Sequence, residues 1–212
     1  APAGRWDRGP ALQVLLESGS LSSASDPAIF AGANAVAIGD GSSGSWEVFQ
    51  FTEALLTAPK TYELSKRLRG QAGTDGGMPA EWPAGSLVVL LDAALRQIDL
   101  PLSARGLARH YRIAPLDRGY QAGDAVQRVE SFDGIGLRPY PVAHLRAKGQ
   151  PGAEIALQWV RRTRIDGDSW QSVEVPLGEE SEAYRIRVLS GAAVLRETIV
   201  AAPGWSYTAA MQ

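Results

Sequence analysis

Apolar residues in this chain recur mainly with the period of β-strands. Leu12, Val14 and Leu16 alternate with Gln13 and Leu15, the pattern of a partly buried strand. A polar stretch follows, then AIFAGANAVAIG at 28–39, whose small residues suit tight packing. The turn signal DGSSGS at 40–45 separates it from the next strand-like run. There Trp46, Val48 and Gln50 face one way and Phe49 and Phe51 the other. Bulk on both faces predicts a strand buried on both sides. After Pro59, Tyr62 and Leu64 alternate while Leu68 stands four residues beyond Leu64. The spacing allows helix or strand, and the alternation favours strand. The run stops at Gly70 and Gly73, and a Gly- and Pro-rich loop leads to Leu87–Leu91. That continuous apolar run predicts a core strand, with 92–98 extending it or making one helical turn. Tyr111–Ile113 and Ala125–Val129 are short strand candidates.

The pattern changes at DGIGLRPYP, 133–141, where Gly and Pro mark an interdomain linker. Beyond it, Ile155, Leu157 and Trp159 alternate with Ala156, Gln158 and Val160. Tyr184, Ile186 and Val188 then alternate against Arg185 and Arg187, the signature of a sheet with one solvated face. Further short strands at Leu195, Thr198–Val200 and Trp205–Tyr207 predict a β-sandwich. The expected organisation is mostly β. A β-rich, barrel- or sandwich-like domain covers 1–137, and a β-sandwich covers 138–212.

Composition narrows the function. The chain has 212 residues, a formal net charge of -2 and no cysteine. The near-neutral balance gives no field for nucleic acid or anionic lipid. The lack of thiols excludes disulfides, thiolate metal sites and cysteine nucleophiles. No apolar run approaches the roughly 20 residues of a membrane span. The N-terminal APAGRWDRGP has no signal-peptide layout and reads as linker, so the chain is expected to be a fragment or processed product.

The motifs with chemical potential each have a plainer explanation. Gly39-Asp40-Gly41-Ser42-Ser43-Gly44 spells G-x-G-x-x-G, but a strand-like run follows where a dinucleotide site needs a helix. A hairpin turn accounts for it. The two histidines, His110 and His144, lie on opposite sides of the linker without neighbouring ligand types. Asp166-Gly167-Asp168 lacks the remaining ligands of a calcium loop and reads as an Asx-type turn. Glu179, Glu180 and Glu182 share one acidic loop and do not face each other across a cleft. Arg161, Arg162 and Arg164 are expected to form ion pairs within the chain or between subunits, with the 179–182 loop as one partner. No nucleophile–base pair emerges, so no catalytic, cofactor or metal residues are expected. Of the six tryptophans, Trp46 and Trp159 fit core positions. Trp82 and Trp170 sit in loop-like sequence and are candidate surface contacts, including to sugar.

GANAVAIG, WEVFQF, YELSKRLRGQAGT and the series IALQWVRR…YRIRV…YTAA occur here in that order. Together they resemble the C-terminal part of siphophage tail-tip and baseplate-hub proteins, above all the large baseplate protein of gene transfer agents. The resemblance runs from about Arg5 to Gln212. It implies a non-enzymatic part of the tail tip, assembled in the bacterial cytoplasm and released with a virion-like particle. It also implies contact with copies of itself (usually a trimer), neighbouring baseplate subunits and the host surface. The alternative reading is a cell-surface glycan-binding module, with the β-sandwich presenting Trp82 or Trp170. Nothing matches the family's upstream domains, so their activities do not transfer. Trp46, Phe49 and Phe51 would belong to the first domain's core, and Arg69, Gly70, Gly73 and Thr74 would shape a turn. The second segment resembles a fibronectin type III domain, with Trp159 on the second strand, Tyr184 on the third and Tyr207 as the tyrosine corner near the sixth. Its pattern stops at Gln212 before a last strand.

Overall fold

The structure is a computed structural model that describes residues 4–119, 121, 123–150, 152–167 and 174–212. It is mostly β, built of antiparallel sheets with sandwich-like character. Chain contacts divide it into two units, Ala1–Leu137 and Arg138–Gln212. The elements of the first unit's main sheet are β1 (Trp6–Asp7), β2 (Leu12–Leu15), α1 (Asp26–Phe30), β3 (Ala35–Gly39), β4 (Trp46–Ala58), β5 (Thr61–Gln71) and β6 (Leu87–Leu90). The six strands form one sheet in the order β1–β5–β4–β3–β6, with β2 also paired to β5.

DGSSGS closes the β3–β4 hairpin, where Gly39 stands opposite Trp46. The Ser42 N–H donates to Asp40 Oδ1 at 2.8 Å, an Asx turn. A strand therefore follows the glycine motif, and no helix N-terminus is present to cradle phosphate. Along β4, Glu47, Phe49 and Phe51 are buried. They share the core with Val14, Val36, Ile38, Tyr62 and Leu64, against which Leu12 and Trp82 pack. The other face of β4 is half-buried at Trp46, Val48 and Gln50. Here α1 lies over the sheet, with Ile29 fully buried. Gln50 Nε2 donates to the Ile29 and Ala33 carbonyls at 2.7 and 2.8 Å, satisfying acceptors at the helix end. Both faces of the strand are covered, as its bulk predicts, but by different means.

The Leu87–Leu91 expectation needs correction. β6 is an edge strand paired only with β3. Val88 and Leu90 point toward the core, while Leu87 is 53% and Val89 36% exposed. A continuous apolar run reads as doubly buried only when both its faces are covered, and here the outer face stays exposed among the described residues. Downstream, β7 (Ala108–Ile113) and β8 (Val126–Ser131) form a separate two-stranded ribbon. It leaves Ile113, Val126 and Val129 exposed.

The second unit contains β9 (Ala143–Gly149), β10 (Ile155–Val160), β11 (Tyr184–Ser190), β12 (Ala193–Val200) and β13 (Gly204–Tyr207). They form a three-stranded sheet, β13–β10–β9, and a two-stranded sheet, β11–β12. Trp159 on β10 is 7% exposed. It meets Tyr184 on β11 edge to face, ring centroids 5.2 Å apart, which joins the two sheets. Along β11, Ile186 and Val188 are half-buried while Arg185 and Arg187 reach Glu197 on the exposed side. Tyr207 ends β13, the unit's fifth described strand, opposite Ile155 and stacked on Trp205.

Truncating Phe51, which is 1% exposed at the centre of the first unit's core, is expected to cost about 3–5 kcal/mol. Leu56→Ala, at a site 58% exposed, should change stability by about 0.5 kcal/mol or less. Urea unfolding of the two variants separates these outcomes.

Candidate functional site

The functional geometry of the first unit is organised by a buried ion pair. Glu47 occupies the first inward position of β4, in phase with Phe49 and Phe51, and its side chain is 1% exposed. Arg69 on β5 meets it as a two-pronged pair, Nε to Oε1 at 2.9 Å and Nη2 to Oε2 at 2.7 Å. The Gly70 N–H donates to Oε1 at 3.2 Å and the Trp82 indole N–H to Oε2 at 2.7 Å. Arg69 spends its remaining reach on the Ala80 and Pro79 carbonyls, at 2.9 and 2.8 Å. Such satisfaction lets two charges stand in a core, because each lost hydration contact has a replacement. The hydrogen bonds to Glu47 outweigh burial and raise the Arg69 pKa further above its ordinary value.

The backbone around the pair is shaped to hold it. Pairing runs Val48↔Gln71 and then Gln50↔Leu68, so β5 carries one extra residue there. Gly70 absorbs the bulge at φ 64°, and a Cβ on it would come within 2.8 Å of the Asp75 Cβ. The strand then turns through Ala72 and Gly73, both at positive φ, into a short 3-10 turn. Thr74 fastens this turn: its hydroxyl donates to the Gln71 carbonyl at 2.7 Å and accepts the Val48 N–H at 3.0 Å. Gly73 and Thr74 are thus turn residues, as expected from the sequence. Arg69 is not. It lies within β5 as the buried partner of Glu47, and Gly70 serves the strand bulge beside it. Glu47 was absent from the sequence-based candidates, although its in-phase spacing with Phe49 and Phe51 marks it as inward-facing.

A second pair lies two residues along the same face. Arg67 Nη2 donates to Asp7 Oδ2 and to the Pro10 carbonyl, both at 2.8 Å. Burial works to raise the Asp7 pKa, but the Gly9 N–H and Arg67 outweigh it and hold it below 3.8. Between the Gly9–Ala11 connection and the Ala80–Trp82 segment opens a cleft of about 440 Å³ over Ile38 and Phe49. Trp82 lines it half-buried, with its N–H turned inward to Glu47. Trp170, the other candidate surface tryptophan, lies outside the described residues.

In the second unit the arginine run pairs within the chain. Arg164 meets Glu179 at 2.9 Å, and Arg161 stands 3.9 Å from Glu182 and 3.8 Å from Glu174. Arg162 stacks over Tyr140 at 4.7 Å. The Tyr184 hydroxyl donates to Glu182, and burial followed by this carboxylate pushes its pKa up to about 12. His110 and His144 are exposed on β7 and β9. Among the described residues no group of three or more His, Cys, Asp or Glu is placed to hold a metal. Among the described residues no helix is long and apolar enough to cross a membrane.

Residues 1–89, which hold the whole Glu47–Arg69–Trp82 network, match the family model described as Rcc01698-like, C-terminal. No curated protein matches the chain.

Glu47→Gln leaves the Arg69 charge buried without its counter-ion and should destabilise the first unit by about 3–5 kcal/mol in urea unfolding. For Asp7 the folded pKa is the lower one, so its stabilising contribution is complete above the ordinary carboxylate value. It disappears as pH falls through the native value. Asp7→Asn should therefore flatten the acid limb of a stability–pH profile and leave the profile's shape near neutrality unchanged.

Proposed function

We propose that this chain is a structural component of the tail tip or baseplate of a phage-like particle of gene-transfer-agent type. It works by assembly and host-cell contact and carries no catalytic step. The match of residues 1–89 to the Rcc01698-like family carries this reading, and the ordered series of motifs that extends to Gln212 supports it. Its partners are further copies of itself, in a trimer, and the neighbouring tail subunits. Its place is the distal end of the particle, assembled in the cytoplasm before release.

The surface of the first unit suits such a role. Leu87 and Val89 on the outer face of β6 continue into exposed Leu91, Leu95, Ile98 and Leu102. An isolated monomer rarely leaves so long an apolar strip in water, whereas a subunit of an assembly covers it. The free edge of β6 offers unpaired backbone groups alongside, which a neighbouring strand can use. A second reading, a cell-surface glycan-binding module, is favoured by one observation: Trp82 borders a concave site that also holds paired polar groups.

Electron microscopy of native particles carrying a tagged copy of the chain should place the tag at the distal tail. A tag on the capsid, or particles that never contain the chain, would remove the tail-tip reading. Replacing Leu91, Leu95 and Ile98 together with Ser should yield a folded chain that fails to enter particles.

A further inference from the structure

The ion pairs of the first unit leave one set of groups unused. Trp82 is held in a single orientation, because its N–H is committed to Glu47 Oε2 at 2.7 Å and part of its ring packs on the core. The rest of the indole borders the cleft. A ring immobilised in advance loses little entropy when another flat surface stacks on it. Across the cleft, Arg67 commits Nη2 to Asp7 and Pro10, but its Nε is buried without an acceptor. That Nε has no surface a ligand can reach, but Arg67 also lines the cleft and its guanidinium offers further N–H donors. Glu81, exposed on the rim, supplies acceptors.

The charges of the cleft select the ligand. Arg67 is neutralised by Asp7 and Arg69 by Glu47, and Glu81 then leaves the lining one negative charge in excess. An anion gains nothing there. A neutral molecule with hydroxyls that both donate and accept, and with a flat C–H face for the indole, meets every free group. About 440 Å³ lies within the usual range of small-ligand sites. We propose that this cleft binds a neutral hexopyranose, stacked on Trp82, with a ring hydroxyl accepting from Arg67 and another donating to Glu81. The site gives the host-contact role a location and rests on that role only for where the sugar comes from. The binding itself depends on the cleft alone.

The test is a titration of the full 212-residue chain with glucose, N-acetylglucosamine and glucuronate, followed through the indole N–H resonances by NMR. At least one neutral sugar should shift the Trp82 resonance with a Kd of about 1–10 mM, and glucuronate should bind at least about tenfold more weakly. Glu81→Ala, an exposed change that leaves the ion pairs intact, should weaken binding by about threefold or more at an unchanged melting temperature. Arg67→Lys should weaken it as well. A Trp82 resonance unmoved by every sugar overturns the proposal. Glucuronate binding as tightly as the neutral sugars overturns it too, as does binding untouched by Glu81→Ala. None of these results bears on where the chain sits in a particle, so the tail-tip reading stands or falls separately.

Discussion

A carboxylate and a guanidinium enclosed between two strands constrain the first unit more tightly than any other contact in it. Removing such charges from water costs several kcal/mol per ion after relaxation. The structure recovers that cost only by bringing three separated parts of the chain to one point. Glu47 comes from β4, Arg69 and Gly70 from β5, and Trp82 with the Pro79 and Ala80 carbonyls from the loop that follows. The one-residue bulge in β5 falls beside the pair, and Gly70 permits it. A slip in register would move Arg69 to the opposite face and strand Glu47 in the core. The pair thus specifies register where apolar alternation alone would tolerate error.

The same constraint builds the cleft. Trp82 would be an ordinary loop tryptophan without Glu47. Anchored by its N–H, it becomes a fixed wall opposite Arg67 and Asp7. The Asp7–Arg67 pair ties β1 to β5 at the far rim. Core and cleft are therefore one construction, with the satisfied charges underneath and the unsatisfied donor of Arg67 at the side.

The two units differ in how they treat apolar surface. The first has a cluster of seven buried residues spread over four strands. In the second, among the described residues, the joint between sheets centres on Trp159 and Tyr184, and Leu145, Val160, Leu195 and Ile199 stay exposed. Ion pairs such as Arg164–Glu179 fasten its loop but supply little stability where they meet solvent.

Local sequence determined a good deal. Alternation at Leu12–Leu16, Trp46–Phe51, Ile155–Trp159 and Tyr184–Val188 is a property of neighbouring residues, so the strands, the DGSSGS hairpin turn and the mostly β class were legible. The pairing of the arginine run with the acidic loop followed from charge alone. Other features depended on which surfaces the chain brings together. The outward face of Leu87–Leu91 could not be told from a core face, because a run of apolar residues looks the same whether one side or both are covered. The pairing of Tyr207 opposite Ile155 likewise depended on which strand the chain brings beside β10. Glu47, Arg69 and Trp82 are separated by 22 and 13 residues, and each alone has an innocuous local explanation. Only the tertiary structure joined them, since the energy of a buried charge depends on partners that sequence proximity does not reveal.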